Sequence, residues 1–186
     1  TNSIVAASNF GSACHLSCKV RNDDLGIFYL ENLSKNNVLH SQKASESDLS
    51  TGQSVIMVTP DAERTMCTCL GISSFLSSND LDKLAIRNSK YLFLEGYLVA
   101  SKSGLQACFE AIEVAKAAGT KVAISLSDAT IVNAFREQLN SLIKLGCDML
   151  FCNESEACAF SQHDDLLEAE DFLRSVSSQN LITLGK

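Results

Sequence analysis

The chain has 186 residues, of which 46% are hydrophobic and 20% charged, and its formal net charge is −7. This length suits one sizeable hydrophobic core, and the composition is that of a packed globular protein rather than of a disordered or fibrous one. The sequence holds neither a basic cluster suited to a nucleic-acid backbone nor an apolar run of about 20 residues suited to a bilayer, so we expect small-molecule partners, no nucleic acid and no membrane.

Two periodicities alternate along the first part of the sequence. Residues 13–20 are typical of a strand, and residues 23–37 are typical of a helix with acidic residues at its start and Asn at its end. Residues 53–60 and 64–70 are two β-rich runs separated by only three residues. That spacing is typical of a hairpin and not of a crossover helix, so the sequence predicts a small antiparallel piece at about residues 53–72.

After the hairpin, strands alternate with helices to the last residue. The sequence predicts strands at residues 91–99, 121–128, 147–153 and 180–185, and helices at residues 102–118, 130–145 and 164–177. Gly119 and Gly146 end the first two of these helices. Because parallel neighbours need a crossover connection, this order predicts an α/β fold with a mostly parallel sheet flanked by helices.

The predicted strands end in polar residues, and open parallel sheets bind ligands beyond the carboxyl ends of their strands. Glu95 lies in an otherwise apolar run, where a buried carboxylate is costly, so a functional role is favoured over pairing with a backbone group or a Lys. The other polar residues at strand ends are Ser125, Ser127, Asp128, Asn153, Thr183, Gly185 and Lys186.

The segment Asn153 to Glu156 reads N-E-S-E and has two interpretations. A helix N-cap followed by a capping-box Glu is one of them. The other places both side chains in the same crevice, where Glu156 would order the waters around a magnesium ion and Asn153 would reach a phosphate. The sequence favours neither over the other.

Eight cysteines occur in apolar segments. We expect them to be buried free thiols, which suit a reducing cytoplasm, and therefore expect a cytoplasmic protein. Cys14, His15 and Cys18 resemble half of a zinc site, but no second ligand pair follows at zinc-like spacing, so a zinc site is not expected.

Three ordered segments resemble the ribokinase-like (PfkB) family of carbohydrate and nucleoside kinases, especially its bacterial adenosine-kinase-like and sugar-kinase members. They are S-V-I-M-V-T-P-D-A-E-R-T-M from Ser54, F-L-E-G-Y-L from Phe93 and N-E-S-E-A from Asn153. The opening T-N-S-I-V-A-A-S also looks like the helix that follows the family's diglycine substrate motif. The resemblance implies that residues 1–186 are the central part of one ribokinase-like α/β domain, with the hairpin inserted as a lid.

The resemblance implies an ATP-dependent phosphotransferase acting on the hydroxymethyl group of a sugar or nucleoside, with ATP and magnesium as cofactors and room for a monovalent cation. In such an enzyme Asn2 and Glu95 match acceptor-binding residues. Asn153 matches a phosphate-handling residue and Glu156 a magnesium-handling one. The start of the nucleotide loop is matched by Thr183, Gly185 and Lys186.

Two features of the predicted lid keep alternatives open. Arg64 lies where the family often has an Arg near the substrate cleft, although a solvent-exposed Arg in a turn fits its position equally well. The resemblance also allows the lid either to pair with its twin in a homodimer or to cover its own site.

The departures from the family pattern limit what the resemblance implies. The family's catalytic base is an Asp in a Gly-Ala-Gly-Asp motif whose glycines form an anion hole, and this motif does not occur in the sequence. We therefore expect the 186-residue chain to be inactive by itself. Many relatives have an Asn at the position of Cys67 and a turn Gly at the position of Ala62. The acceptor is therefore open among adenosine, another nucleoside, ribose, fructose and a ketodeoxy sugar acid.

Two other functions compete with that of a kinase. A non-catalytic sugar- or nucleotide-binding module of the same fold would explain the missing Asp, but Glu95 and the N-x-x-E pair favour the kinase. A Rossmann dehydrogenase needs a G-x-G-x-x-G turn, which residues 9–13 do not supply.

Overall fold

A computed structural model describes residues 1–41, 44–62 and 64–184. The chain divides into two compact units, Thr1–Asp82 and Lys83–Lys186. Both units combine helices with parallel strands, as the alternating periodicities predict.

The unit Thr1–Asp82 contains two small sheets. Its elements are α1 (Asn2–Asn9), β1 (Cys14–His15), α2 (Asp24–Lys35), β2 (Val38–Leu39), β3 (Gln53–Val58), β4 (Arg64–Cys69) and 3-10 helices at Gly71–Phe75 and Ser78–Asp80. Strands β1 and β2 pair in parallel, whereas β3 and β4 pair antiparallel. Buried side chains of Cys14, Leu33 and Val38 form a core under β1, α2 and β2.

The predicted strand at residues 13–20 is much shorter than expected. Only Cys14–His15 is strand, because its partner β2 is two residues long and the pairing ends with the bond from Leu16 N to Leu39 O. The rest of the run is held by the backbone bond from Ser45 N to Val20 O at 2.9 Å and by a half-buried ion pair between the Lys19 ammonium and Asp80, with N to O distances of 2.9 and 3.0 Å.

The predicted antiparallel hairpin is confirmed. Strands β3 and β4 run in register from Gln53 opposite Cys69 to Val58 opposite Arg64, and the hydroxyls of Ser54 and Thr68 bond across the strands at 2.8 Å. All twelve strand residues are exposed, although Val55, Ile56, Met57, Val58 and Met66 are apolar. Residue 63, in the predicted turn, lies outside the described residues.

The unit Lys83–Lys186 is built around a four-stranded parallel sheet in the order β5-β6-β7-β8. Its elements are α3 (Lys83–Arg87), β5 (Tyr91–Glu95), a 3-10 helix (Gly96–Ala100), α4 (Lys102–Ala118), β6 (Lys121–Ser125), α5 (Ala129–Gly146), β7 (Met149–Asn153), α6 (Glu154–Ser161), α7 (Leu166–Val176) and β8 (Gln179–Thr183). The predicted strand at residues 91–99 was too long, because Gly96 begins a 3-10 helix directly after β5.

Helix α4 shows how the sequence sets these boundaries. The Ser101 hydroxyl accepts a hydrogen bond from Gly104 N at 3.0 Å at its start, and Gly119 ends it with a left-handed φ of 76°. Its buried residues follow the i, i+3, i+4, i+7 spacing of one helix face, at Gly104, Ala107, Cys108, Ala111, Ile112 and Ala115. They form a single stripe that faces the interior of this unit.

Helices α4 to α7 lie on one face of the sheet, because strand order follows chain order and such crossovers are right-handed. The side chains on that face, including Val122, Ile124, Leu150 and Cys152, are buried. On the opposite face, Phe93 packs edge to face on Phe151 with 5.8 Å between ring centroids, and Phe93 is 43% exposed. Within the described ranges, every helix falls short of the length or apolar character that a membrane span requires.

Candidate functional site

Polar residues occupy the carboxyl ends of all four parallel strands. Glu95, Ser125, Asn153 and Thr183 are the last residues of β5, β6, β7 and β8. In the sheet register Glu95 lies opposite Ser125, and Asn153 lies opposite Thr183. The parallel sheet therefore gathers these side chains along one edge, where ligands bind in open α/β sheets.

Asn153 and Glu156 form a reciprocal capping box at the start of α6. The Asn153 side-chain oxygen accepts from Glu156 N at 2.8 Å, while Glu156 Oε2 accepts from Asn153 N at 3.1 Å. Glu156 Oε1 also accepts from Asn153 Nδ2 at 2.8 Å. The structure thus shows the capping interpretation directly, and it fixes the Glu156 carboxylate at the end of β7.

The electrostatic environment of Glu156 is unusual for a capping residue. Its exposed fraction is 6%, and burial raises the pKa of its carboxyl, although the hydrogen bond from Asn153 N acts in the opposite direction; the nearby Asp128 charge adds to the rise. Asp128 is the N-cap of α5, and hydrogen bonds from Thr130 hold its own pKa below the usual value. Two carboxyl groups at neighbouring strand ends therefore differ in how readily they ionise, which is common at functional sites.

Tyr97 is a member of this region that sequence reasoning missed. Burial raises the pKa of its phenol, and the charges of Asp128, Glu156 and Glu95 raise it further. The phenol thus senses three carboxylates of the strand-end region. The available signal was Gly96, because a glycine inside an apolar strand pattern often marks a break, and here it places Tyr97 outside β5.

Glu95 is exposed, contrary to the burial on which its prediction depended. It is the last residue of β5 and not a residue inside a longer apolar strand, so no burial cost applies to its carboxylate. Its candidate role now depends on its place beside Ser125 at the end of the sheet.

Two hydrogen bonds join Ser127 to the residues that follow β5, and a third joins it to the last residue of β6. The Ser127 hydroxyl accepts from Gly96 N at 2.7 Å, the Ser127 carbonyl accepts from the Tyr97 hydroxyl at 3.1 Å, and Ser127 N donates to the Ser125 hydroxyl at 3.2 Å. Ser127 has a φ of 72°, a left-handed conformation that is uncommon for any residue other than glycine.

The remaining predicted site residues are spread over both units. Asn2 is the exposed first residue of α1, and Arg64 is the exposed first residue of β4. The Thr183 hydroxyl lies 3.5 Å from Cys152 O, at the limit of a hydrogen bond. Gly185 and Lys186 lie outside the described residues. That Asn2 and Glu95 share one crevice stays a prediction.

The prediction of buried thiols was wrong for part of the set. Cys14, Cys108 and Cys152 are buried, but Cys67 and Cys69 are exposed because both belong to the exposed hairpin. All eight thiols are free. Among the described residues, no group of three or more His, Cys, Asp or Glu side chains is arranged to hold a metal ion.

Comparisons with known proteins agree on one family. The model of the pfkB family of carbohydrate kinases matches residues 1–186. Ribokinase from Mus musculus is 30% identical over 162 residues, which cover 87% of this chain and 47% of that protein. The chain thus spans about half of this relative.

Solved structures show the same architecture. Adenosine kinase from Sinorhizobium meliloti superimposes with a TM-score of 0.95 at 29% identity, covering 99% of this chain and 57% of that chain. A Rhizobium etli CFN 42 protein assigned as a sugar kinase superimposes with a TM-score of 0.94 at 26% identity, covering 98% of this chain and 56% of that chain. An E. coli protein assigned as ribokinase II, solved with ATP and Mg²⁺, superimposes with a TM-score of 0.86, covering 98% of this chain and 60% of that chain. At 18% identity, this likeness shows the fold alone.

Proposed function

Because this chain belongs to the pfkB family of carbohydrate kinases, we propose that the protein transfers the terminal phosphate of ATP to a hydroxymethyl group of a sugar or nucleoside. The proposal concerns the full-length gene product, since the chain spans 47% of its ribokinase relative and 57% of the adenosine kinase. The observation that carries it is the buried Glu156 carboxylate with a raised pKa, fixed among the polar strand ends of the parallel sheet.

In this proposal the strand ends divide the binding work. Glu95 accepts hydrogen bonds from acceptor hydroxyls, a role that suits an exposed carboxylate at the end of β5. Asn153 and Thr183, which are neighbours in the sheet register, handle the phosphates of ATP. Asn2 and Arg64 are proposed as further acceptor contacts, and Gly185 and Lys186 as part of the nucleotide loop.

The donor set of Glu156 fits magnesium held through water. Each carboxylate oxygen accepts one hydrogen bond from Asn153, and a carboxylate oxygen has a second lone pair available. Magnesium usually keeps several waters and is held by one or two carboxylates together with substrate phosphates. When bound, magnesium would neutralise charge on the transferred phosphate. The capping box contributes by holding the Glu156 carboxylate in one orientation.

The acceptor's proton must go to a general base, and the family's Gly-Ala-Gly-Asp motif is not found in residues 1–186. We therefore expect residues 1–186 to bind ligands without turning them over. The cytoplasmic location and the use of a monovalent cation are retained as predictions.

We also propose that the β3–β4 hairpin is covered in the working protein, either by its twin in a homodimer or by closing over its own site. A two-stranded sheet is marginally stable by itself, and this one exposes Ile56 and Val58 on one face and Val55 and Met57 on the other. Light scattering distinguishes a homodimer from closure over the chain's own site. If the hairpin pairs with its twin, Ile56→Lys should convert the dimer to a monomer. A wild-type protein that is already monomeric supports closure.

The direct test is phosphoryl transfer by the full-length gene product. ATP consumption would be measured with adenosine, ribose, fructose and a ketodeoxy sugar acid, and the product identified by phosphorus NMR. We expect one acceptor class to be phosphorylated, and Glu95→Gln to raise the KM for that acceptor by about tenfold while leaving the KM for ATP unchanged. Tight binding of a sugar or nucleotide without phosphorylated product would instead identify a non-catalytic binding module.

A further inference from the structure

We propose that Ser127 is a positioning residue that fixes the backbone carrying the Glu95 carboxylate for acceptor binding, an inference that depends on the acceptor role proposed for Glu95. Ser127 lies between β6 and α5, and its hydroxyl accepts the hydrogen bond from Gly96 N, the amide directly after Glu95. The bond therefore acts on the peptide that ends β5 and sets the direction in which the chain leaves the strand.

The close approach of the two strand ends supports this role. A side chain at Gly96 would place its Cβ 2.7 Å from Ser125 O and 2.8 Å from Leu126 O, closer than real Cβ atoms come to backbone. The absence of a side chain at residue 96 thus lets the end of β5 lie against the backbone of residues 125–126, and the Ser127 hydroxyl bonds it there.

The backbone of Ser127 is the second observation. Its φ of 72° is costly for a residue with a Cβ, and such conformations persist where surrounding contacts over-determine them, often at functional sites. Here the contacts are the bonds to Gly96, Tyr97 and Ser125, together with the bond from Asp128 N to Leu126 O at 2.9 Å, which closes a tight turn around Ser127. A loop that needed only to connect β6 to α5 would accept glycine at this position without strain, but glycine has no hydroxyl to offer Gly96 N.

The Tyr97 bond extends the same arrangement to the first turn after β5. Its hydroxyl donates to Ser127 O at 3.1 Å, so the two residues that follow Glu95 are both bonded to one residue of the neighbouring loop. Glu95 itself is held in the sheet opposite Ser125. Its side chain is exposed, so the backbone at residues 95–96 sets the point from which the carboxylate reaches a ligand.

The test is a double-mutant cycle in the full-length protein, using adenosine and ribose as acceptors. Ser127→Ala should raise the KM of the better acceptor by about tenfold, with kcat and the KM for ATP within about twofold. In the Glu95→Gln background the same substitution should have less than a twofold effect, because Ser127 acts through Glu95. Ser178→Ala is the matched control, since its exposed hydroxyl donates to Asp148 O at 2.7 Å near the opposite end of the strands.

Ser127→Gly and amide exchange separate positioning from folding. Glycine adopts the left-handed conformation without strain, so this variant should fold yet raise the acceptor KM as Ser127→Ala does. Both variants should speed hydrogen exchange of the Gly96 amide by about tenfold or more. A wild-type KM in Ser127→Gly, or additive effects of Ser127→Ala and Glu95→Gln, would overturn the proposal while leaving the acceptor role of Glu95 intact. No effect of Glu95→Gln would overturn both.

Discussion

Asp23 and Glu156 each hydrogen-bond a backbone amide at the start of a helix, and the pKa values of the two carboxyl groups are shifted in opposite directions. Asp23 caps α2, accepting from Gly26 N at 2.8 Å, Thr51 N at 2.9 Å and the Thr51 hydroxyl at 2.6 Å. These bonds hold the pKa of Asp23 below its usual value, and the bond from the Thr51 hydroxyl has the largest effect. Glu156 completes the capping box of α6, yet burial and the Asp128 charge raise its pKa.

The difference separates a stabilising cap from a candidate functional carboxylate. A carboxylate that only stabilises a helix start favours its charged form, as Asp23 does. Glu156 is held where the charged form is disfavoured, at the carboxyl end of a parallel strand and near a second carboxyl group. A bound cation would reverse that disadvantage, which is why the proposed magnesium role belongs to Glu156 and not to Asp23.

The largest expected effect is a loss of turnover when the Glu156 carboxylate is neutralised, with Asp23 as the comparison. Glu156→Gln in the full-length protein should lower turnover by about 10- to 100-fold, because outer partners of a metal site have effects of this size. Asp23→Asn should leave the turnover of each folded molecule within about threefold. Steady-state kinetics with the active fraction titrated would measure both, and equal losses in the two variants would remove the distinction.

The next effect is on stability in the unit Thr1–Asp82. Thr51→Val removes the buried hydroxyl that donates to Asp23 and accepts from Arg21 N at 3.0 Å. The melting midpoint should fall by about 5 °C, and the pKa of Asp23 should rise towards its usual value. Calorimetry and carbon NMR of the Asp23 carboxyl would test this prediction, and an unchanged pKa would contradict the cause assigned to it.

The two carboxylates should also contribute to stability with opposite pH dependence. Because folding lowers the pKa of Asp23, its contribution is present above about pH 4 and is lost as the pH falls through the folded-state value. Because folding raises the pKa of Glu156, its contribution is present below about pH 4.5 and is lost as the pH rises through the folded-state value.

Urea titrations at pH 3, 5 and 7 would measure this difference. The free energy that Asp23→Asn removes should grow with pH, whereas the free energy that Glu156→Gln removes should shrink with pH. The same pH trend in both variants would show that the environments of the two carboxylates do not differ as described.

The smallest expected effect is on stability, from removing the exposed Ser155 hydroxyl that bonds the cap of α6. The Ser155 hydroxyl donates to Asn153 Oδ1 at 2.8 Å from an exposed position. Ser155→Ala should lower the free energy of unfolding by less than about 0.5 kcal/mol, because Asn153 keeps its bonds to Glu156. Chemical denaturation would measure it, and a larger loss would mean that Ser155 orders Asn153.

Local signals in the sequence predicted much of the fold. Gly119 ended α4 as expected, the short spacing between residues 60 and 64 predicted the hairpin, and Asn153 ended β7. These features are set by backbone geometry and hydrogen bonding within a few residues, so a sequence pattern can record them.

The errors arose where distant contacts decide the outcome. Strand β1 is short because its partner is short, and Glu95 is exposed because a break at Gly96 ends β5 early. The left-handed conformation of Ser127 had no signal in the sequence, because glycine and not serine is the residue expected at a positive φ. A hydroxyl bonded to the neighbouring strand end explains its presence, and only the fold brings those groups together.

The magnesium dependence of Glu156→Gln turnover tests the central claim most directly. Turnover of the full-length protein and of this variant would be measured from micromolar to millimolar magnesium with saturating ATP and acceptor. If Glu156 orders the waters of the metal, the variant should need about tenfold more magnesium and recover part of its turnover when magnesium is raised. A variant with the magnesium dependence and turnover of the wild type would show that Glu156 is a helix cap and nothing more.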